Sequence, residues 1–498
     1  MKLKKFLAGA LALCIIGGAM PLSAAVAEES GDGVIISDVS TSGKFGDISW
    51  ILDQQTGLLT LSGEGPVVYE GYSPWNDLHQ EITAIVVEEG ITSLPESVFS
   101  LCYAQTLDLP STLTEIGGLS ISYLGLMPKL TEIRVAEGSP AFVSVDGVLF
   151  DKDMTALLKY PIQKPGESYT VPEGVKTLTD AAFFAQRCLT SVTLPEGLET
   201  IGEAAFYNCK ALAQIDIPES VTEICGNAFP GTPWLAEKQA EDPLVIVNDI
   251  LVNGLAAEGK VIIPDGVRRI APFSFENNTN ITEVGVPETV ESLGKSAFFN
   301  CTALVSIELA ETKEIGVGAF CGCSALQKVD LYQAKKIDMY AFGDCPALGK
   351  ISIYQADCEI WDDSTTICSG GNDKDGYSFT GVITCRANST AQAYAEKYGY
   401  DFVLLPDDVE YLLGDANGDG KVDLSDAVAV LQYVALPAKY PLDEPHLRAA
   451  DVVDKDTSGV NGIDALAIMM VDAGLIQEYE LPVTSEKLDE KLAEQPAG

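Results

Sequence analysis

An alternating apolar and polar motif recurs through the middle of the chain. Residues 189–209 read LTSVTLPEGLETIGEAAFYNC, residues 281–301 read ITEVGVPETVESLGKSAFFNC, and residues 304–323 read LVSIELAETKEIGVGAFCGC. In each copy the alternation predicts a short strand with every second side chain facing inward, and the segment that ends in Ala-Phe predicts a helical turn. One unit cannot bury its apolar face alone, so we expect the copies to stack into a solenoid with a continuous core.

The spacing of the motif phenylalanines gives the length of the repeat. Successive copies lie 22 or 23 residues apart, with one interval of 46 residues: Phe183, Phe206, Phe229, Phe275, Phe298, Phe320 and Phe342. The long interval, between Phe229 and Phe275, equals two repeats, so the register continues through it.

Two segments that interrupt the repeats resemble each other. Residues 142–153 read FVSVDGVLFDKD and residues 244–254 read LVIVNDILVNG. Each has apolar strands on both sides of a two-residue polar turn, Asp146-Gly147 or Asn248-Asp249, which is typical of a β-hairpin. We expect both hairpins to protrude from one edge of the solenoid.

Cysteines recur three residues after the phenylalanine, at Cys102, Cys209, Cys301, Cys323 and Cys345. A residue at one fixed position in successive coils forms an inward ladder, so we interpret these thiols as small buried apolar groups. Disulfides between neighbouring coils are the alternative, because adjacent rungs come close to bonding distance. Zinc is disfavoured, since no Cys-x-x-Cys pair stands beside a second pair or a histidine.

The repeat pattern xxIxLPxxxxxIgxxAFxxCxxL resembles the bacterial BspA-type leucine-rich repeat family over roughly residues 80–405. Residues 48–91 are similar to the strand-rich N-terminal cap of such proteins, and residues 381–405 to their closing cap with a short helix at 391–398. The resemblance implies a mainly β solenoid over residues 81–405, with short strands plus short helical turns, behind a strand-rich cap over residues 28–80. It also implies binding and adhesion surfaces, without naming the ligand.

Residues 414–434, GDANGDGKVDLSDAVAVLQYV, place Asp or Asn at alternate positions before an apolar helix. Calcium prefers six to eight oxygen ligands, and alternate residues of a tight loop point their side chains inward. Six residues match positions 1, 3, 5, 7, 9 and 12 of such a loop: Asp415, Asn417, Asp419, Lys421 through its carbonyl, Asp423 and Asp426. Because the carboxylates repel one another around an empty site, we expect Ca²⁺ binding to be coupled to local folding.

A second, less regular copy covers residues 449–476. With two inserted residues, the candidate ligands are Asp451, Asp454, Asp456, Asn461 and Asp464. The apolar helix that follows, predicted at residues 464–473, mirrors the first exiting helix at 424–434. A second Ca²⁺ site is therefore expected.

Two half-hands, each with an exiting helix and no long entering helix, resemble a type I dockerin, a small all-α calcium-binding module, over residues 411–480. The resemblance implies docking to a cohesin domain on a scaffold protein, as in a cellulosome. The partner-reading positions of the family fall on Leu424, Ser425, Leu431, Gln432, Gly462, Ile463, Met469 and Met470. On an apolar helix such residues also fit a core. Residues 481–498 are predicted to be a disordered charged tail.

The first residues and the net charge of the chain indicate where the protein is located and which partners it disfavours. A secretory signal peptide is predicted over residues 1–27, from lysines, an apolar run and the small residues Ala25-Val26-Ala27. No later stretch is apolar enough to span a membrane. The net charge of −42 disfavours nucleic acid and anionic membranes as partners. The protein is expected to be secreted and associated with a surface complex.

Catalysis is not expected. Only two histidines exist, His79 near the N-terminal cap and His446 between the half-hands, so the repeats cannot build a Ser/His/Asp site. We therefore expect a non-catalytic binding subunit whose repeats recognise a protein or a polysaccharide, and the dockerin resemblance implies a role in polysaccharide catabolism. A glycoside hydrolase subunit and a structural spacer without a ligand remain alternatives.

Overall fold

The computed structural model describes residues 40–69, 71–95, 98–117, 127–372, 376–405, 414–417, 421–437, 439–442, 444–453, 459–473, 475–476, 481, 483–485 and 487–488. The predicted signal peptide and the calcium-loop residues Asp419, Asp454 and Asp456 lie outside the described residues.

The first segment of the solenoid begins with three antiparallel strands and continues as parallel coils. Its main sheet contains β1 (Ser42–Phe45), β2 (Ile48–Asp53), β3 (Leu58–Gly63), β5 (Ala84–Val87), β7 (Thr106–Leu109) and β9 (Glu132–Val135). The opposite side carries β4 (Gly65–Pro66), β6 (Ile91–Leu94) and β8 (Glu115–Ile116), and a 3-10 helix spans Asn76–Leu78. Trp50 and Trp75 pack edge to face in the core of this segment.

The second segment starts at the first hairpin and ends in a helix. One sheet contains β10 (Phe142–Val145), β11 (Val148–Asp151), β12 (Ala156–Lys159), β14 (Thr177–Leu178), β16 (Thr200–Ile201) and β18 (Glu223–Ile224). The other contains β13 (Ser168–Thr170), β15 (Ser191–Thr193) and β17 (Gln214–Asp216). Helix α1 (Pro233–Glu241) begins where the Thr232 side chain caps the Leu235 amide.

The third segment starts at the second hairpin and is the longest. A sheet of short strands contains β19 (Val245–Val247), β20 (Ile250–Asn253), β22 (Arg269–Ile270), β24 (Ser292–Leu293), β26 (Glu314–Ile315), β28 (Lys336–Ile337) and β30 (Glu359–Ile360). A sheet of longer strands contains β21 (Gly259–Ile262), β23 (Ile281–Gly285), β25 (Ser306–Glu308), β27 (Lys328–Leu331), β29 (Lys350–Ile353), β33 (Val382–Cys385) and β34 (Phe402–Leu404). A small hairpin, β31 (Gly370–Asn372) and β32 (Gly376–Ser378), and helix α2 (Thr390–Tyr398) precede the last strand.

Each coil turns at its phenylalanine. The rings of Phe275, Phe298, Phe320 and Phe342 stack at 4.8, 5.3 and 5.2 Å between centroids, within 8° of parallel. Two residues before and two residues after each ring the backbone has positive φ, as at Ser296 (54°) and Asn300 (56°). Ala, Ser, Asn, Asp and Gly occupy most of these positions because small or short polar side chains tolerate this conformation best.

The cysteine ladder is buried and reduced. All eleven cysteines after residue 14 are free thiols, and the Sγ of Cys301 donates a hydrogen bond to the Phe275 carbonyl of the preceding coil, at 3.0 Å. Cys209, Cys323 and Cys345 make the same contact in their own coils. Burial raises the pKa of the Cys301 thiol to about 12, which leaves it protonated. The interpretation as small buried groups is confirmed, and the disulfide alternative is wrong in this structure.

Both hairpins form, but neither protrudes. Strand β11 continues directly into the parallel ladder through β12, and β20 pairs with β22. Phe150 and Leu251 are fully buried in the cores of their segments. The expectation of edge insertions was wrong because the apolar residues of each hairpin face inward, so each hairpin serves as the first rung of a new segment.

The C-terminal residues form a separate small core. Helices α3 (Leu424–Ala435) and α5 (Gly462–Asp472) pack on each other, with α4 (Glu444–Ala450) between them in sequence. The prediction of a disordered tail over residues 481–498 is wrong for Leu481, Val483 and Leu488, which are buried in this core, and residues 489–498 lie outside the described residues. The Val483 amide donates to the Val452 carbonyl at 2.9 Å. Among the described residues, no helix combines the length and apolar character needed to cross a bilayer.

Candidate docking module and repeat surface

The two half-hands begin their helices in the same way. Asp423 caps α3 and Asn461 caps α5, each accepting a hydrogen bond from an amide two residues later. Asp426 and Asp464 complete the capping boxes by accepting from the amides of Asp423 and Asn461, at 2.9 and 2.8 Å. Hydrogen bonds from the hydroxyl and amide of Ser425 hold the pKa of the Asp423 carboxyl below its usual value.

The same two aspartates also close the loops. Asp426 Oδ1 accepts from the amide of Asn417 at 2.9 Å, and Asp464 Oδ1 accepts from the amides of Val452 and Val453 at the same distance. Both aspartates are fully buried. A buried carboxylate is costly unless it is hydrogen-bonded, so these contacts tie the start of each loop to its end.

The first loop fits a calcium ion in its donor chemistry. Asp415 is buried beside the closed loop, and every candidate ligand is an oxygen donor, as calcium requires. In the second loop, Val453 takes the hydrogen-bonded place that Asn417 holds in the first, and it offers no side-chain oxygen. Among the described residues, no group of three or more His, Cys, Asp or Glu side chains is arranged to hold a metal. Calcium at either loop therefore stays a prediction.

The predicted partner residues divide by helix. On α3, Leu424 and Leu431 are 54% and 45% exposed, and Ser425 and Gln432 are also exposed. On α5, Gly462 and Ile463 are exposed and Met469 is half-buried. Met470 is buried in the module core, so its assignment to the partner surface was wrong.

Sequence reasoning missed two members of the α3 surface. Val428 and Val434 are 44% and 42% exposed and lie on the same helix as Leu424 and Leu431. Residues spaced by three, four and seven along a helix share one side, which is the signal that could have found them. Together Leu424, Val428, Leu431 and Val434 define the α3 apolar stripe.

In the second segment, the sheet of β13, β15 and β17 presents polar rows to its outer side. Ser191 pairs with Gln214 and Thr193 with Asp216, while Val192 and Ile215 between them are buried. In the third segment the Asp330 Oδ1 and Ser352 Oγ atoms are buried without a hydrogen-bond partner, on neighbouring strands. Of the two histidines, His79 follows the 3-10 helix and His446 lies in α4.

Comparison with known proteins places the repeats. A model for the BspA type leucine rich repeat region matches in six copies, over residues 78–135, 163–242 and 257–368, half of the chain. A search of curated proteins found no match.

Three solved structures are similar to this chain. A leucine-rich repeat protein from Eubacterium ventriosum is 22% identical, with 68% of this chain and 95% of that chain covered and a TM-score of 0.28. A leucine rich cell surface protein from Faecalibacterium prausnitzii is 22% identical, with coverage of 64% and 90% and a TM-score of 0.30. A leucine-rich repeat protein from Bacteroides ovatus is 16% identical, with coverage of 73% and 99% and a TM-score of 0.27. On the family match over its repeats, the chain belongs to the BspA-type leucine-rich repeat family.

Proposed function

We propose that this protein is a secreted, non-catalytic binding subunit. Its repeats recognise a protein or polysaccharide, and its C-terminal module docks in a calcium-dependent manner to a cohesin domain of a scaffold protein. The observation that carries the proposal is the α3 apolar stripe, which stands exposed on a module whose two loops are closed by buried aspartates.

Calcium would be held by the first loop. The side chains of Asp415, Asn417, Asp423 and Asp426 belong to the proposed ligand set, together with Asp419 and the Lys421 carbonyl. A bound Ca²⁺ neutralises the repulsion between these carboxylates. Asp426 also holds the Asn417 amide, so the loop and the start of α3 would be ordered together.

Docking would proceed through α3 and not equally through α5. An apolar helical stripe with polar neighbours matches the helix-in-groove mode of recognition, in which a few apolar side chains anchor the complex. On α3 the stripe is flanked by the exposed polar side chains of Ser425 and Gln432. On α5 the corresponding Met470 is buried, which leaves Ile463 as its exposed large apolar residue.

The docking half is tested by calcium-dependent capture of the full chain on immobilised cohesin domains encoded by the same organism. Leu431→Asp should abolish capture, and Ile463→Asp on α5 should weaken it by less than tenfold. Capture that persists in excess chelator, or that Leu431→Asp leaves unchanged, would contradict the proposal.

A further inference from the structure

A polar groove crosses the sheet of short strands where the second segment meets the third. Two adjoining cavities, of about 360 and 350 Å³, share Arg268, Glu291 and Lys313 as lining residues. These side chains lie outside the docking module.

The groove is built by a regular backbone column. The amide of Arg268 donates to the Asp249 carbonyl, that of Glu291 to the Arg268 carbonyl, and that of Lys313 to the Glu291 carbonyl, at 2.8, 2.9 and 2.8 Å. Each residue therefore stands one strand spacing, about 4.8 Å, beyond the last. Charged donors and acceptors alternate along this column.

The second hairpin explains why a groove opens here. The turn Asn248-Asp249 stands in sequence between Thr222 and Arg268, within the 46-residue interval that the hairpin occupies. Arg269 reaches across this turn and donates to the Thr222 carbonyl at 3.3 Å. Thr222 and Asp249 line the first cavity from the two sides of this junction, so the groove lies where the second segment meets the third.

The ion pairs in the groove are long. Glu291 Oε1 lies 3.8 Å from Arg268 Nη2 and 3.6 Å from Lys313 Nζ, beyond hydrogen-bond distance. In the second segment, Lys176 and Glu199 occupy the same column and make a hydrogen bond of 2.8 Å. The Arg268, Glu291 and Lys313 side chains therefore make no hydrogen bond to one another, whereas Lys176 and Glu199 commit one donor and one acceptor to their own pair.

The lining excludes several kinds of ligand. Five carboxylates and three cations line the two cavities, so with a chain charge of −42 the groove repels a polyanion. The lining residues of both cavities, all within the described part of the chain, include no aliphatic or aromatic side chain. The centre of a protein interface is typically apolar and aromatic, which disfavours a protein here.

We propose that this groove binds an uncharged, hydroxyl-rich polysaccharide chain laid across the short strands. A hydroxyl group donates and accepts at once, so successive sugar hydroxyls can bridge the alternating Arg268, Glu291 and Lys313. Hydrogen bonds to charged groups are stronger than those between neutral groups. This strength compensates for the lack of an aromatic side chain in the lining of the groove. This inference rests on the proposed binding role of the repeats and names their ligand class.

The test measures binding of the full chain to three soluble neutral polysaccharides, mixed-linkage β-glucan, xyloglucan and galactomannan, by affinity electrophoresis and calorimetry. Arg268→Gln and Glu291→Gln should each weaken binding to at least one of them by about tenfold or more. The matched pair Lys176→Gln and Glu199→Gln, in the same column away from the groove, should change affinity less than twofold. Unchanged thermal unfolding of each variant shows that the fold is intact.

The inference is overturned by no binding to any of the three glycans, by unchanged binding in the groove variants, or by tighter binding of polygalacturonate than of the neutral chains. A protein ligand whose binding is lost in the groove variants would also overturn it. None of the four substitutions should affect cohesin capture. A negative result in the glycan-binding test therefore leaves the docking proposal intact, and a negative result in the capture test leaves the groove proposal intact.

Discussion

The solenoid and the C-terminal module bury different kinds of residue. The solenoid core consists of stacked Phe rings with Leu, Ile and Val, repeated coil after coil. The module core is rich in alanine and closes around two buried carboxylates, Asp426 and Asp464. Burial of large apolar side chains stabilises the solenoid, whereas the module also depends on the hydrogen bonds that satisfy two buried carboxylates and, under the proposal above, on calcium. The two parts should therefore respond to different perturbations.

The unfolding of the solenoid and that of the module can be followed separately in the same protein by two spectroscopic signals. All four tryptophans, Trp50, Trp75, Trp234 and Trp361, lie in the solenoid, so their fluorescence reports the solenoid alone. Far-ultraviolet circular dichroism during chelation reports the helices of the module.

The largest effect is expected at the phenylalanine ladder. Phe298→Ala removes a fully buried ring between two stacked neighbours and should destabilise the solenoid by about 3–5 kcal/mol. Urea unfolding followed by tryptophan fluorescence measures it. The adjacent half-buried Phe299 supplies the control, since Phe299→Ala should cost clearly less. Equal losses for the two variants would contradict the ladder as the main source of stability.

A buried lysine should weaken the solenoid. Lys159 is fully buried, donates to the Ala181 carbonyl, and burial lowers its pKa to about 7. The unfolded chain therefore binds more protons than the native protein between about pH 7 and the usual lysine pKa, and this residue's contribution to stability rises with pH across that window.

Lys159→Met should stabilise the solenoid by about 1–4 kcal/mol at pH 7. Its advantage should shrink at pH 8.5, because wild-type Lys159 then costs less. Comparing the two proteins at both pH values cancels the titration of the shared thiols. A pH-independent advantage would show that the buried amine does not titrate in this range.

The module should respond to its aspartates and to metal removal. Asp426→Asn weakens the hydrogen bonds that close the first loop and should cost about 1–3 kcal/mol, without changing the tryptophan transition. Excess chelator should unfold residues 411–480 and leave the solenoid intact. Asp464→Asn provides the matched variant of the second loop. Helices that survive chelation unchanged would contradict a calcium-dependent fold.

The smallest effect is expected at the thiols. Cys301→Ala removes the hydrogen bond to the Phe275 carbonyl and should cost about 1 kcal/mol. In the native protein a thiol reagent should modify the half-buried Cys188 and Cys225 first, because the ladder thiols are buried out of its reach. Fast modification of every thiol without unfolding would show that the coils open readily.

Periodic features were predictable from sequence and single events were not. The spacing of the phenylalanines and cysteines predicted coils, burial and inward direction, because each copy repeats the same evidence. The helices at 390–398, 424–435 and 462–472 agree with their predicted ranges within two residues. Each hairpin occurs once per junction, so its inward apolar face looked the same as that of a protruding insertion.

The candidate sites show the same limit. Motif positions identified Leu424 and Leu431, half of the α3 apolar stripe. The burial of Met470 could not be foreseen without knowing which side of α5 packs into the module core. The tail residues Leu481, Val483 and Leu488 lie too far apart to form a recognisable pattern, and only the fold brings them into one core. The groove depends on residues from four coils that are unremarkable in sequence.

The hydrogen bonds between successive corners, such as that from the Phe298 amide to the Ala319 carbonyl, join each coil only to its immediate neighbours. A load applied between a surface anchor and a bound ligand therefore meets a series of similar links rather than one all-or-none barrier. Coils should peel away singly from an end, each releasing 22 or 23 residues, about 75 Å of slack. Stretched in this way, the protein would act as a tether that lengthens in even steps and dissipates force before its attachment breaks.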